Sequence, residues 1–274
     1  MERRIIDFHT HAFPDKIAQK TITYLAQKAG IPPYSDGTFG GLCHVLADAG
    51  VTTGVVLPVV TKSEQFASIL SFAKAINEEN KTETKGIKMI SFAGIHPDSA
   101  DYKNELNQIK REGFLGIKIH PDYQGVYFDD LRFMRIMEYA TELGLCMVTH
   151  AGVDIGIKEP VRCTPDRVLR VLREVRPKKL VLAHMGGHDL FAEVLQKLSG
   201  EDVYFDTAFS LNKMAPDLFI KMCRTHGTDK ILFATDCPWG DPSEFVNYFC
   251  GLSMTEEEKE QILHENAEKL LGPA

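Results

Sequence analysis

Residues 7–11 read Asp-Phe-His-Thr-His. In an extended strand the side chains at i and i+2 point the same way. His9 and His11 therefore project together from one strand end, while Phe8 and Thr10 face the other side. Two neutral imidazoles on one face are half of a transition-metal site. Two histidines on an exposed strand would look the same, so the pair needs support from the rest of the chain. Polar residues of this kind recur at the ends of short apolar runs. His96 ends Ala-Gly-Ile-His, and Lys118 and His120 end Gly-Ile-Lys-Ile-His. His150 ends Val-Thr-His, and His184 and His188 lie in Leu-Ala-His-Met-Gly-Gly-His. Asp206 ends Tyr-Phe-Asp, and Asp236 ends Phe-Ala-Thr-Asp. One buried imidazole or carboxylate is an ordinary core polar group with a partner. Several on one rim call for a metal or a catalytic pocket.

The elements that carry these residues alternate along the chain. Residues 4–9, 52–58, 88–95, 116–120, 146–150, 180–184, 203–206 and 231–235 are β-rich runs, mostly continuous and apolar. That pattern suits parallel strands buried on both faces. Between them lie amphipathic stretches. Residues 129–143 stop at Gly144, 165–175 stop before Pro177, and 255–271 open on Thr255 and a Glu-rich turn. Eight strands with helices between them predict a (β/α)8 barrel. The doubly wound alternative lacks a Gly-x-Gly-x-x-Gly after the first strand. In a barrel, catalytic groups sit where strands end. The chain is expected to form a single domain over 1–274, with an irregular excursion near 31–41, where two prolines and three glycines fall.

The 274 residues are 44% hydrophobic and carry a net charge of -7. No basic stretch suits a phosphate backbone, so nucleic acid is not an expected partner. No run approaches the ~20 apolar residues of a membrane span, and the first residues lack the apolar core of a secretory signal. None of the six cysteines forms a Cys-x-x-Cys pair, so reduced thiols of a cytoplasmic protein are expected. A homodimer is compatible with the sequence.

The ordered set of strand-end residues resembles the amidohydrolase superfamily. Ala-His-Met-Gly-Gly at 183–187, Tyr-Phe-Asp-Thr-Ala at 204–208, Phe-Ala-Thr-Asp-Cys-Pro-Trp-Gly at 233–240 and Glu-Asn-Ala-Glu-Lys-Leu-Leu at 265–271 resemble its amidohydrolase-2 branch. That branch includes aminocarboxymuconate-semialdehyde decarboxylase. The resemblance runs in order from residue 7 to residue 271. It implies a (β/α)8 barrel in which His9, His11, His150 and Asp236 bind a divalent metal, with zinc the expected ion. One ion is favoured, and a second would need Lys118 as a carbamate bridge. By the same resemblance His184 moves protons or polarises the substrate, and Asp236 also accepts a proton from metal-bound water. Lys118 is instead read as the cation for a substrate carboxylate, with His120 beside it as a contact or extra ligand. Asp206 orients a ligand histidine. His96 and His188 stand behind the ligands. His44, His226 and His264 are expected at the surface.

The activity expected is metal-assisted hydrolysis of a C–N or C–O bond in a small carbonyl or carboxylate substrate. The alternative is a lyase, a non-oxidative decarboxylase or hydratase, on the same metal site. A ligand-binding protein without catalysis is a third reading, and a degraded ligand set would be its sign.

Overall fold

The computed structural model describes residues 3–79, 86–157 and 159–272. Each strand expected from the sequence is present; all are shorter, and the first also ends one residue later than expected, at Thr10. They are β1 (Ile6–Thr10), β2 (Thr53–Val56), β3 (Lys88–Ser91), β4 (Ala93–Gly94), β5 (Gly116–Ile119), β6 (Cys146–Thr149), β7 (Leu180–Leu182), β8 (Tyr204–Asp206) and β9 (Ile231–Leu232). All neighbours pair in parallel and in chain order, β1 to β3 in one set and β4 to β9 in another. The third expected strand is split at Phe92, whose N–H still reaches Val56 O at 2.9 Å and links the two sets. At the other seam Phe8 N–H donates to Phe233 O at 2.9 Å, Asp236 N–H to His9 O at 2.9 Å and His11 N–H to Cys237 O at 2.7 Å. The ring is closed, and the fold is a (β/α)8 barrel.

Helices surround it and begin where the side chains dictate. The helix Leu131–Glu142 starts because Asp130 accepts the Arg132 N–H, and it ends at Leu143 before a left-handed Gly144. Thr255 and Glu258 form a capping box that opens the C-terminal helical run. Residues 31–38 are irregular, and there Tyr34 N–H donates to Pro238 O at 2.8 Å. The helix Phe39–Asp48 follows, capped by Thr38.

Two apolar layers hold the barrel. The outer one packs strands on helices. The inner one gathers Ile6, Phe8, Val55, Leu57, Phe92, Cys146, Val148, Val181, Leu232 and Ala234. At the same inward positions β5 carries Gly116 and Lys118. A Cβ at Gly116 would lie 2.4 Å from a Phe92 ring carbon, so the ring occupies the space a larger residue would need. Phe8 was expected to face away from His9; instead it packs in this inner layer. The reason is a register shift: Asp7 pairs with Gly54 and Thr10 with Val56, three residues on β1 against two on β2. An extra residue of this kind re-aims a side chain, and it lets His9 turn inward after Phe8.

His226 also departs from the surface position expected of it. The helix Pro216–His226 delivers it against β8, where it is buried and stacks on Phe205 at 3.8 Å. Its Nδ1 accepts the Gly200 N–H and its Nε2–H donates to Val203 O, so the ring must be neutral. Burial lowers its pKa from the ordinary 6.5. A group with a depressed folded pKa contributes stability above its unfolded pKa and loses it as pH falls. Below pH 6.5 the wild-type protein should therefore lose up to about 1.4 kcal/mol per pH unit through this site. His226→Gln should lack that increment in urea melts compared at pH 7 and pH 5; identical pH dependence would show that His226 protonates freely in the fold. Among the described residues, no helix is long and apolar enough to cross a membrane.

Candidate metal and proton-transfer site

At the C-terminal rim three proton acceptors face one another. His11 Nδ1 lies 3.0 Å from Leu57 O. A carbonyl only accepts, so the proton is on Nδ1 and the Nε2 lone pair is free. His9 Nδ1 lies 2.9 Å from Asp206 Oδ2, which leaves its Nε2 lone pair free as well. The two Nε2 atoms are 3.2 Å apart, and Asp236 Oδ1 is 3.1 Å from one and 3.4 Å from the other. Three acceptors at these distances repel unless a cation lies among them. Imidazoles held by a carboxylate and a carbonyl, beside a second carboxylate, are the donor set of a divalent metal.

A cation of the chain stands at the edge of this set. Lys118 is almost fully buried, and its Nζ is 3.0 Å from His9 Nε2, its one hydrogen-bond partner among the described residues. Burial pushes the ammonium down to about 8, while Asp206 and Asp236 pull it back up. The same burial, with Lys118 nearby, holds His9 well below 6.5. His9 is therefore neutral at pH 7, as a ligand must be.

A second group adjoins the first. His184 Nδ1–H donates to Ala208 O at 2.9 Å, so Nε2 is its free edge, and His150 Nδ1 meets that edge at 3.0 Å. The His184 ring is 5.4 Å from that of His9. Burial lowers the pKa of both His150 and His184. His150 stacks on His120 at 4.3 Å with 10° between the planes. His120 Nδ1 accepts the Tyr123 N–H, so its Nε2–H points outward, 3.6 Å from Asp154 Oδ2. Ligand atoms of His120, His150 and Asp154 lie within 4.8 Å of one another. However, stacked rings send their lone pairs out in parallel, and His120 has a proton where a ligand needs a lone pair. This trio does not fit a second ion; His120 is placed as a donor.

The structure thus brings His9, His11, Asp236, Lys118 and Asp206 together, and sets His150, His184 and His120 beside them. His188 lies further out, its ring 6.2 Å from His184 and packed near Phe191 and Phe209. His96 Nδ1 accepts the Asp98 N–H in its own loop.

Backbone geometry sets these positions. His184 and Asp236 both hold left-handed φ, 60° and 66°, which ordinary residues avoid and active sites retain. Asp206 supports His184 by accepting its N–H at 2.8 Å and the Ala208 N–H at 3.1 Å. Gly152 lies against His188, where a Cβ would come 2.2 Å from the His188 nitrogen, so the two loops touch only through a glycine. Asp7 was not singled out in the sequence. It accepts from His9 N–H, Thr235 N–H and, at 2.5 Å, the Thr235 hydroxyl, tying β1 to the segment that carries Asp236. Burial pushes its carboxyl up to about 7 against the pull of those donors. Asp122 and Asp154 also escaped notice, because each follows a strand-end histidine, Asp122 in the short helix Pro121–Gln124 and Asp154 in a loop, and has no motif of its own.

A family model described as Amidohydrolase, Amidohydro_2, matches residues 6–272. Solved structures of similar fold include a 2,6-dihydroxybenzoate decarboxylase complexed with 2,6-dihydroxybenzoate, at 16% identity and TM-score 0.74 over 98% of this chain and 99% of that one. A dihydroxybenzoic acid decarboxylase from Polaromonas sp. JS666, with bound manganese and 2-nitroresorcinol, aligns at 15% identity and TM-score 0.75 over 98% and 97%. The 5-carboxyvanillate decarboxylase of Sphingomonas paucimobilis aligns at 14% and 0.72 over 98% of each chain. No curated protein matches the chain. At such identities the likeness to the solved structures is one of fold.

Proposed function

Because this chain belongs to the amidohydrolase-2 family and is an enzyme of the amidohydrolase type with a divalent-metal site, we propose that it is a metal-dependent lyase that removes carbon dioxide from a small hydroxylated aromatic acid. Hydrolysis, the first expectation from the sequence, has less support than this alternative, since structural relatives across the full length are decarboxylases. The observation that carries the reading is Lys118, a buried ammonium beside the acceptor cluster that makes no bond to a carboxylate among the described residues. A substrate anion would complete it. A small depression lies beside the segment after Asp236, lined by Tyr34, Phe209, Trp239 and Phe245 together with the charged Lys213, Asp241 and Glu244, and Trp239 N–H donates to Asp236 O.

A divalent ion held by His9, His11, Asp236 and His150 would polarise substrate oxygen atoms. Manganese rather than zinc is our reading of that ion, from the manganese in the Polaromonas relative. The chain's own groups do the rest. Lys118 holds the anion, and His120 offers Nε2–H to a second substrate oxygen. Apart from His11, which is partly exposed, the site residues are almost wholly buried, and a water-poor site favours a reaction in which a charged carboxylate leaves as neutral carbon dioxide. His184 rests neutral with its proton on Nδ1, so Nε2 first takes up a proton from solvent as the substrate enters. The C–C bond then breaks, its electron pair stays on the ring carbon, and that carbon takes this proton from His184 Nε2. The Nδ1–H bond to Ala208 O keeps Nε2 as the transferring atom. Burial lowers the His184 pKa, which makes its protonated form a readier donor.

Purified protein with Mn²⁺ should release carbon dioxide from carboxylate-labelled hydroxybenzoates, including 2,6-dihydroxybenzoate and 5-carboxyvanillate, without taking oxygen from labelled water. Hydrolysis of lactones or amides with label incorporation, and no carbon dioxide from any acid, would refute the lyase.

A further inference from the structure

His150 and Asp122 form an unfinished pair. Among the described residues, the buried His150 Nε2 has no hydrogen-bond partner, and the same holds for Asp122 Oδ2. The two atoms are 3.8 Å apart, and the Asp122 side chain is wholly buried. Its other oxygen is already committed, since Asp122 Oδ1 accepts the Arg162 N–H at 3.3 Å and faces Arg162 Nη1 at 3.6 Å. With the His150 proton on Nδ1, donating to His184, two buried acceptors face each other unsatisfied. Leaving such groups unpaired is costly.

We infer that Asp122 positions His150 by accepting a proton-bearing Nε2, which leaves Nδ1 as the atom offered to the metal. Moving the proton from Nδ1 to Nε2 turns both orphans into one charge-assisted hydrogen bond after a shift of roughly 1 Å. One proton leaves the ring as one arrives, so its charge does not change. The shift also removes the donor from His184 Nε2, so the edge that must handle the substrate proton becomes free. Asp122 would then act on His150 as Asp206 does on His9: a buried carboxylate selects the tautomer, and the tautomer selects the ligand atom. The inference rests on the metal-site reading above.

Chelator competition with Mn²⁺ tests it in the full-length protein. Asp122→Asn should weaken metal binding about 10-fold and Asp122→Ala up to about 100-fold. The metal-free proteins should melt within a few degrees of wild type. Nitrogen-15 spectra of the histidines in Zn²⁺-loaded wild type should show His150 protonated at Nε2. Wild-type affinity in both variants, or a His150 proton on Nδ1 in the loaded protein, would overturn the role of Asp122 alone. Failure of wild type itself to bind either ion would overturn the metal-site reading and this inference together.

Discussion

Asp206→Asn should weaken divalent-metal binding by about 10- to 100-fold and lower turnover at least as much. The substitution barely changes size, so the effect is one of proton placement. In the wild type Asp206 Oδ1 accepts two backbone N–H groups, from His184 and Ala208, and Oδ2 accepts from His9 Nδ1. An asparagine must keep its carbonyl on the two backbone donors, which turns its NH2 towards His9. Two donors cannot share that contact, so His9 moves its proton to Nε2. The lone pair that faced His11 and Asp236 is lost, and the three-acceptor cluster is broken. Asp206→Ala is a harsher change. It leaves three buried donors bare, at about 1–3 kcal/mol each, and should lower stability as well as metal affinity. A competitive metal titration reads the first variant without needing a substrate. A dissociation constant within twofold of wild type would mean that His9 does not depend on Asp206 for its tautomer.

His184→Gln should lower kcat by about 10²- to 10⁴-fold, the range for loss of a general acid, with metal content and KM little changed. Glutamine can still donate to Ala208 O, so the local fold has a substitute for the Nδ1–H bond. It cannot hold an exchangeable proton at the position of Nε2. The split between kcat and KM is the informative part: a residue that only shaped the pocket would raise KM as well. Steady-state kinetics on the acid found to lose carbon dioxide measures it. Turnover within tenfold of wild type would assign the transferred proton to another group.

The parts of this site that were readable in advance share one property. Each stands at the end of an apolar run, where a charged or imidazole side chain is conspicuous. His9, His11, His150, His184, Asp206 and Asp236 could all be picked out this way, along with Lys118. The closed ring of parallel strands was readable for a similar reason, because continuous β-rich runs alternate with amphipathic ones. What stayed hidden lies where no pattern marks it. Asp122 sits in a helix of four residues, too short to show a period, and Asp154 sits in a loop, which follows none. Asp7 was in view in the opening motif, but its partner Thr235 is distant in sequence, so its role as a tie between β1 and the Asp236 segment could not be seen. The position of Phe8 depended on an extra residue in the β1–β2 register, which strict alternation does not foresee. The burial of His226 depended on which side of its helix meets Phe205.

The sequence by itself determined which chemical groups this barrel carries to its rim, because strand ends in a parallel barrel collect there whatever the loops do. It did not determine which atom of each group is offered. A histidine written in a sequence has two nitrogens, and the hydrogen bond at one decides the use of the other. Leu57 O decides for His11, Asp206 for His9 and Ala208 O for His184. Each of these partners comes from another part of the chain and meets its histidine only when the ring closes. The tertiary structure therefore decided the protonation pattern, and with it which residues could hold an ion and which could pass a proton.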